Sequence, residues 1–244
     1  MVDKQQQRGR RLPVLTRGVL VALALVGGGL TLALDQPAAQ EAKPVPSALH
    51  DIASTETSQT AVLAGGCFWG VQAVFQHVAG VTGVRAGYAG GSAATATYEQ
   101  TETGTTGHAE AVEITYDPRQ ISYGKLLEIY FSVAHDPTQI GGQGPDSGPQ
   151  YRSAIFPRNE EQAKVASGYI AQLNAAGVFS RPIATTIEEA KAFYQAEAYH
   201  QDYVYNNPGQ PYVVLYEQPK IGALRHLFPS LYRGKPVLAA DSAS

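Results

Sequence analysis

Positions 61–78 read AVLAGGCFWGVQAVFQHV, and the order of features in this stretch decides the fold. The apolar run AVLA is ended by Gly65 and Gly66, the pattern of a short strand leaving a sheet through a tight turn. Val71, Val74, Phe75 and Val78 then recur at helical spacing, so the chain re-enters as a helix with one apolar face. A strand, a glycine turn and a helix make the opening unit of an α/β domain. Cys67 stands at the junction. Unpaired N–H groups and the helix dipole stabilise a thiolate at such a position, and the flanking glycines are expected to leave the sulfur accessible. Phe68 and Trp69 beside it read either as ordinary core or as an apolar wall for a small group such as a methyl.

Outward from this unit the pattern continues. VTGVRAGYAGG (81–91) reads as a strand running into a glycine loop, and HAEAVEITY (108–116) alternates as a third strand. ISYGKLLEIYFSVA (121–134) carries Leu126, Leu127, Tyr130 and Val133 on one helical stripe. A long loop crowded with Gly and Pro (135–150) precedes the strand YRSAIF (151–156). EEQAKVASGYIAQLNAAG (160–177) reads as a helix closed by Gly177. SRPIATTIE (180–188) reads as a strand, and residues 188–205 as a helix stopped by Asn206-Asn207-Pro208. The expected fold is therefore a mixed sheet with helices packed on it.

Three further features carry chemistry. Alternation in 108–116 puts Glu110 on the face shared by Val112, Ile114 and Tyr116. A carboxylate on an apolar face is desolvated, holds its proton near neutral pH and can act as a general acid; at a wet end of the sheet it is merely solvated. Spacing alone leaves both readings open. Asp146 lies in the 135–150 loop, with Tyr151 just after it, and a loop of that length is more often functional than a spacer. Tyr98, close to another glycine-containing loop, is a second candidate phenol. His108 and His200 read by default as surface or satisfied core residues. No metal-ligand spacing and no phosphate loop is present.

Composition bounds the other possibilities. The chain has 244 residues, 44% hydrophobic and 16% charged, with a formal net charge of -3. The first 39 residues carry five of the basic and two of the acidic side chains, so the rest of the chain is mildly acidic and unlike a nucleic-acid-binding surface. Residues 18–34 form an unbroken apolar run after a basic stretch, with Ala38 and Ala39 before Gln40. That is the layout of an export signal, or alternatively of an uncleaved anchor. Residues 40–59 are expected as a flexible linker, 60–232 as the folded domain, and 233–244 as a loose tail. The expected location is periplasmic or extracellular, with anchoring at the membrane by 18–34 as the alternative. The chain holds one cysteine, so no disulfide can form within it. Unpaired, Cys67 is either inert and buried or a reactive thiol.

GGCFWG, YAGG, YEQTETGTTGHAEAVEITYDP, HDPTQ followed by QGPDSGPQYRSAIF, and AEAYHQDY occur in this order across residues 65–203. Together they resemble the peptide methionine sulfoxide reductases of the A type. The resemblance implies a ferredoxin-like α/β plait with mixed sheet and flanking helices and long C-terminal coil segments. It implies reduction of methionine-S-sulfoxide, free or in oxidised proteins and peptides, without metal or organic cofactor, and the chain is expected to act as a monomer. It makes Cys67 the nucleophile, Phe68 and Trp69 the methyl pocket, Glu110 the acid, Tyr98 and Tyr151 donors to the sulfoxide oxygen, and Asp146 a second carboxylate that positions substrate or water. Many relatives carry further cysteines that resolve the sulfenic acid. This chain has none, so an external thiol such as glutathione or a thioredoxin-like protein is expected as reductant. A thiol peroxidase would instead place threonine or proline before the cysteine, where glycines stand here, and a tethering protein would form a stable intermolecular disulfide without turnover.

Overall fold

A computed structural model of the chain describes residues 42–189 and 192–239. The export signal or anchor expected for residues 1–39 lies outside the described residues. Among those described, no helix is long and apolar enough to cross a membrane.

β1 (Gln59–Gly65) leads into α1 (Phe68–Gln76), β2 (Val81–Ala89), the single turn α2 (Tyr98–Thr101) and β3 (Ala109–Tyr116). α3 (Tyr123–Ile129) runs on into a π-turn, Tyr130–Ala134. A small hairpin of β4 (Gly142–Gln143) and β5 (Asp146–Ser147) precedes β6 (Ser153–Phe156) and α4 (Glu160–Ala175). β7 (Thr186–Ile187), β8 (Tyr194–Gln195), α5 (Tyr203–Asn206) and α6 (Gln218–Leu227) complete the described elements. Six strands form one sheet in the order β7-β6-β1-β3-β2-β8. β6 and β7 are parallel, and the other neighbours antiparallel.

The period-two alternation of β3 sorts its side chains as expected. Val112, Ile114 and Tyr116 are fully buried in the main core, with Ala61 and Leu63 of β1, the apolar stripes of α1 and α3, and Tyr169 and Leu173 of α4. Each such aliphatic side chain removed from water contributes about 1.5–3 kcal/mol. The opposite sheet face is lined by the small Val62, Ala64, Ala89, Ala109, Ala111 and Ala154 with Phe156, and Phe193 from the neighbouring segment packs on it. Leu63 of β1 faces Val112 of β3, and Tyr88 of β2 faces Glu110. The end of β1 and the start of β3 therefore lie at the same sheet end, which brings Cys67 and Glu110 together from 43 residues apart in numbering.

Several expectations are corrected. Residues 188–205 do not form one helix: they hold β8, a 3-10 turn (Ala198–His200) and α5. The helical pattern loses to side chains that serve the sheet edge. Gln201 bonds both backbone groups of Ala86 on β2, at 2.9 and 3.0 Å, and Glu197 accepts from the Tyr98 N–H and the Tyr88 hydroxyl. The strand expected over 180–188 shrinks to the two residues of β7. Tyr151 ends a 3-10 turn (Pro149–Tyr151) instead of opening a strand. Residues 42–58, read as linker, carry no helix or strand, yet they are held on the domain: Val45 is buried, the Tyr169 hydroxyl donates to the Pro46 carbonyl, and Asp51 accepts from the Gly124 N–H. In the tail, Arg233 and Val237 donate backbone bonds to His77 and Gln76 at the end of α1. Within the C-terminal stretch where long coil segments were expected, residues 213–227 form a π-turn (Val213–Glu217) and α6 (Gln218–Leu227).

Candidate active site

Gly66 has φ +87°, the left-handed turn that lets the chain leave β1 and begin α1 at Phe68, two residues later. Cys67 is the N-cap of α1, but its own side chain makes no capping bond. The cap comes from β3: the Phe68 N–H donates to Glu110 Oε2 at 2.9 Å. The anion-binding helix end is therefore taken by a carboxyl group, not left for the sulfur alone.

This arrangement corrects the electrostatic expectation for Cys67. The residue is 9% exposed, not accessible. Burial first, then the carboxyl groups of Glu110 and Glu217, push its thiol well above the ordinary value; the Trp69 N–H pulls the other way, and Asp146 adds a smaller upward push. The resting group is a protonated thiol. For Glu110 the open question is resolved in favour of desolvation. It is 2% exposed, and burial, reinforced by Glu102, Asp146 and Glu217, raises its carboxyl well above the usual range against the pull of the Phe68 N–H. Glu110 is thus a carboxylic acid with a proton to give.

The other predicted residues gather at the same sheet end. Asp146, on the β4–β5 hairpin, accepts from the Tyr212 hydroxyl, and burial raises its carboxyl. Tyr151 donates to Glu102 Oε1 at 3.0 Å. Burial pushes the Tyr98 phenol up to about 12, helped by Glu102, Glu110 and Cys67, so it stays a donor. Burial likewise raises the Tyr151 phenol, with Glu110 and Glu102 beside it adding to the rise. Trp69 is half-buried and stacks on Tyr203 with ring centroids 3.7 Å apart and planes at 8°. Its indole N–H donates to His200 Nδ1 at 3.1 Å, which requires that nitrogen to be unprotonated; burial lowers the His200 pKa accordingly. Phe68 is 1% exposed and packs edge-on to His200 at 5.0 Å, so its ring belongs to the floor more than to the mouth.

Four residues here escaped sequence reasoning. Glu102 bonds Tyr151, Tyr212 bonds Asp146 and meets Trp69 edge-on at 6.0 Å, His200 orients Trp69, and Glu217 lies buried over α1. Tyr212 and Glu217 sit on or beside a π-turn, whose five-residue spacing leaves no amphipathic period to detect. His200 carries no sequence signal beyond that of a surface or satisfied core histidine. Among the described residues no group of three or more His, Cys, Asp or Glu side chains is arranged to hold a metal ion.

A thiol held beside a proton-bearing carboxyl, under aromatic rings and ringed by phenols, suits attack on a polarised sulfur or oxygen with proton delivery to the leaving oxygen. The family model described as peptide methionine sulfoxide reductase matches residues 59–229. The chain is 56% identical over 187 residues to peptide methionine sulfoxide reductase MsrA 2 of Mesorhizobium japonicum, covering 77% of this chain and 96% of the relative. It is 50% identical over 190 residues to the protein of the same name from Synechocystis, covering 76% and 89%. Among solved structures, methionine sulfoxide reductase A of Corynebacterium diphtheriae superposes with a TM-score of 0.53 at 32% identity, covering 72% of this chain and 91% of that one. Reduced Mxr1 from Saccharomyces cerevisiae gives a TM-score of 0.57 at 30% identity, covering 66% and 92%. With the matched segment spanning the whole sheet and every residue of the site, the chain belongs to the peptide methionine sulfoxide reductase family.

Proposed function

We propose that the protein reduces methionine-S-sulfoxide, free or within oxidised proteins and peptides, with Cys67 as nucleophile. The observation that carries this is the buried Glu110 carboxyl, anchored 2.9 Å from the Phe68 N–H at the start of the helix that presents Cys67. Cys67 Sγ bonds the sulfoxide sulfur while Glu110 gives its proton to the sulfoxide oxygen, and the thiol proton replaces it on Glu110. The substrate's sulfur–oxygen bond and the new Sγ–sulfur bond then both break as the protonated oxygen passes to Sγ, which leaves a sulfenic acid on Cys67. The substrate sulfur gains two electrons, the cysteine sulfur loses two, and methionine leaves. Tyr98 and Tyr151 hydrogen-bond the oxygen as charge builds on it. Trp69 walls the methyl group over the Phe68 floor, and Asp146, held by Tyr212, positions substrate or water. A ring wall on one side and donors on the other select one epimer.

An external thiol, such as glutathione or a thioredoxin-like protein, then attacks the sulfenic sulfur. A disulfide to Cys67 forms, water leaves with the thiol proton, and a second thiol frees the enzyme. The single cysteine supports this route, since a resolving cysteine within the chain is absent from the sequence. The core is read as a ferredoxin-like plait. Its support is the run β6-β1-β3-β2 of antiparallel neighbours, with α1 joining β1 to β2 and α3 on the path from β3 to β6. Residues 1–39 are proposed to export the chain, or to anchor it through 18–34, and the enzyme to act as a monomer outside the cytoplasm; the basic, apolar and small-residue order supports export.

The test is turnover of a peptide carrying each sulfoxide epimer with dithiothreitol as reductant, for the wild type and Cys67→Ser. Loss of the S epimer alone, abolished by the substitution, is expected. An intact thiol with no turnover of either epimer overturns the proposal.

A further inference from the structure

Glu217 is a buried carboxyl to which the proposed chemistry gives no role. It is 1% exposed and ends the π-turn that begins just after Tyr212. Its Oε2 ion-pairs with Lys220 at 2.8 Å, and among the described residues neither of its oxygens has a hydrogen-bond partner. The carboxylate rests on Gly70, in the first turn of α1. A Cβ built on Gly70 would lie 1.6 Å from Glu217 Oε2, far inside any real contact, so a glycine here is what admits the carboxylate. The helix end at Gly70 favours an anion, and the lone partner Lys220 comes from α6, the same C-terminal segment.

Apolar packing also holds this segment: Leu224 of α6 is fully buried in the main core, with Ala223 and Leu227 packed against it. Val213 packs with Ala73 of α1 in a small cluster that Trp69 and Tyr203 border. Tyr212 reaches back to Asp146, and nothing else in the described residues bonds its hydroxyl. A buried ion pair contributes little net stability over apolar packing, but it fixes register where a looser contact would not. Both Cys67 and Glu110 lie within reach of the Glu217 charge.

We propose that Glu217 is a positioning residue of the site: its carboxylate, seated on Gly70 and held by Lys220, latches the segment carrying Tyr212 onto the first turn of α1 and sets a negative charge beside Cys67. The role rests on the proposed reductase function. Through the latch, Tyr212 is kept on Asp146 and edge-on to Trp69, so the C-terminal segment completes the pocket by packing and charge. The titratable groups facing Cys67 are Glu110 from β3, Asp146 from β5, Tyr98 from α2, and Tyr212 and Glu217 from the C-terminal segment, with Lys220 paired to Glu217.

The experiment measures two quantities on the full chain for wild type and Glu217→Gln: the pH dependence of Cys67 alkylation by iodoacetamide, and kcat/KM for a peptide carrying methionine-S-sulfoxide with dithiothreitol. Removing the charge is expected to move the alkylation curve to lower pH, and loosening Tyr212 to lower kcat/KM at least about fivefold. A merely structural role would lower the melting temperature and leave the alkylation curve in place. An unmoved curve, or a kcat/KM within about twofold of wild type, overturns the proposal. Should Glu217→Gln not fold, Glu217→Asp carries the test, since it withdraws the charge from Gly70 by one methylene: a smaller shift in the same direction is expected, and an unmoved curve overturns it. A wild type that alkylates normally but reduces no sulfoxide refutes the reductase function, while the alkylation curves still decide the placement of the Glu217 charge.

Discussion

Replacing Glu110 by glutamine separates proton supply from architecture. The Phe68 N–H bond at 2.9 Å survives, because the glutamine carbonyl oxygen can occupy the place of Oε2. The cap of α1 is therefore kept, whereas Glu110→Ala would lose it at a cost of about 1 kcal/mol. The proton is not kept. A positioned general acid contributes about 10²–10⁴ in rate, or about 3–5 kcal/mol of barrier, and that is the loss expected in kcat/KM. The pH dependence has a definite sign. Burial raises the Glu110 carboxyl well above its unfolded value, so the acid form persists toward neutral pH, and activity falls as pH rises through the folded value. Glu110→Gln should lack that alkaline limb. Stability follows the same linkage: the contribution of the protonated carboxyl is fully present below its unfolded pKa and is lost as pH rises through the raised folded value. The variant should match the wild type in acid and exceed it toward alkaline pH. Steady-state kinetics with dithiothreitol across pH, with thermal melts at the same points, measure all three. Glu110→Gln with kcat/KM within about threefold of wild type would refute the proton-delivery role.

Tyr212→Phe should lower kcat/KM by about 10- to 100-fold, the range for losing a hydrogen bond to a charged group, with little change in melting temperature. Trp69→Ala removes the Tyr203 stack and the bond to His200; a loss of about 2–3 kcal/mol in urea unfolding is expected for this half-buried ring, with KM for the sulfoxide rising more than kcat falls. Cys67 alkylation in the free enzyme should be slow at neutral pH and accelerate only at pH values well above those of an ordinary thiol, as thiol titration with iodoacetamide will show.

The opening unit was legible because its signals are local. The glycines after AVLA and the stripe of Val71, Val74, Phe75 and Val78 mark strand, turn and helix from neighbouring residues alone, and alternation in β3 placed Glu110 on the core face. What local pattern could not report is what other segments bring. Cys67 reads as primed for a thiolate because a bare helix end favours one; burial, together with carboxyl groups from β3, β5 and the C-terminal segment, reverses that. The 188–205 stretch has a helical pattern, yet Gln201 and Glu197 bond the β2 edge and α2, and the helix is forfeited. Tyr212 and Glu217 lie on or beside a π-turn with no readable period, and their place in the site depends on Gly70, far earlier in the chain. The family resemblance named seven site residues that spacing alone left as candidates, and all seven meet at one sheet end.

The most direct test of the central claim is a single turnover without reductant. Enzyme is mixed with excess methionine-S-sulfoxide peptide, and both released methionine and the mass of the Cys67 peptide are measured. The account predicts one methionine per chain and one added oxygen on Cys67, trapped by a sulfenic-acid reagent, with neither product from Cys67→Ser or from the R epimer. Continued methionine release without any thiol, or turnover that leaves Cys67 unmodified, would contradict it.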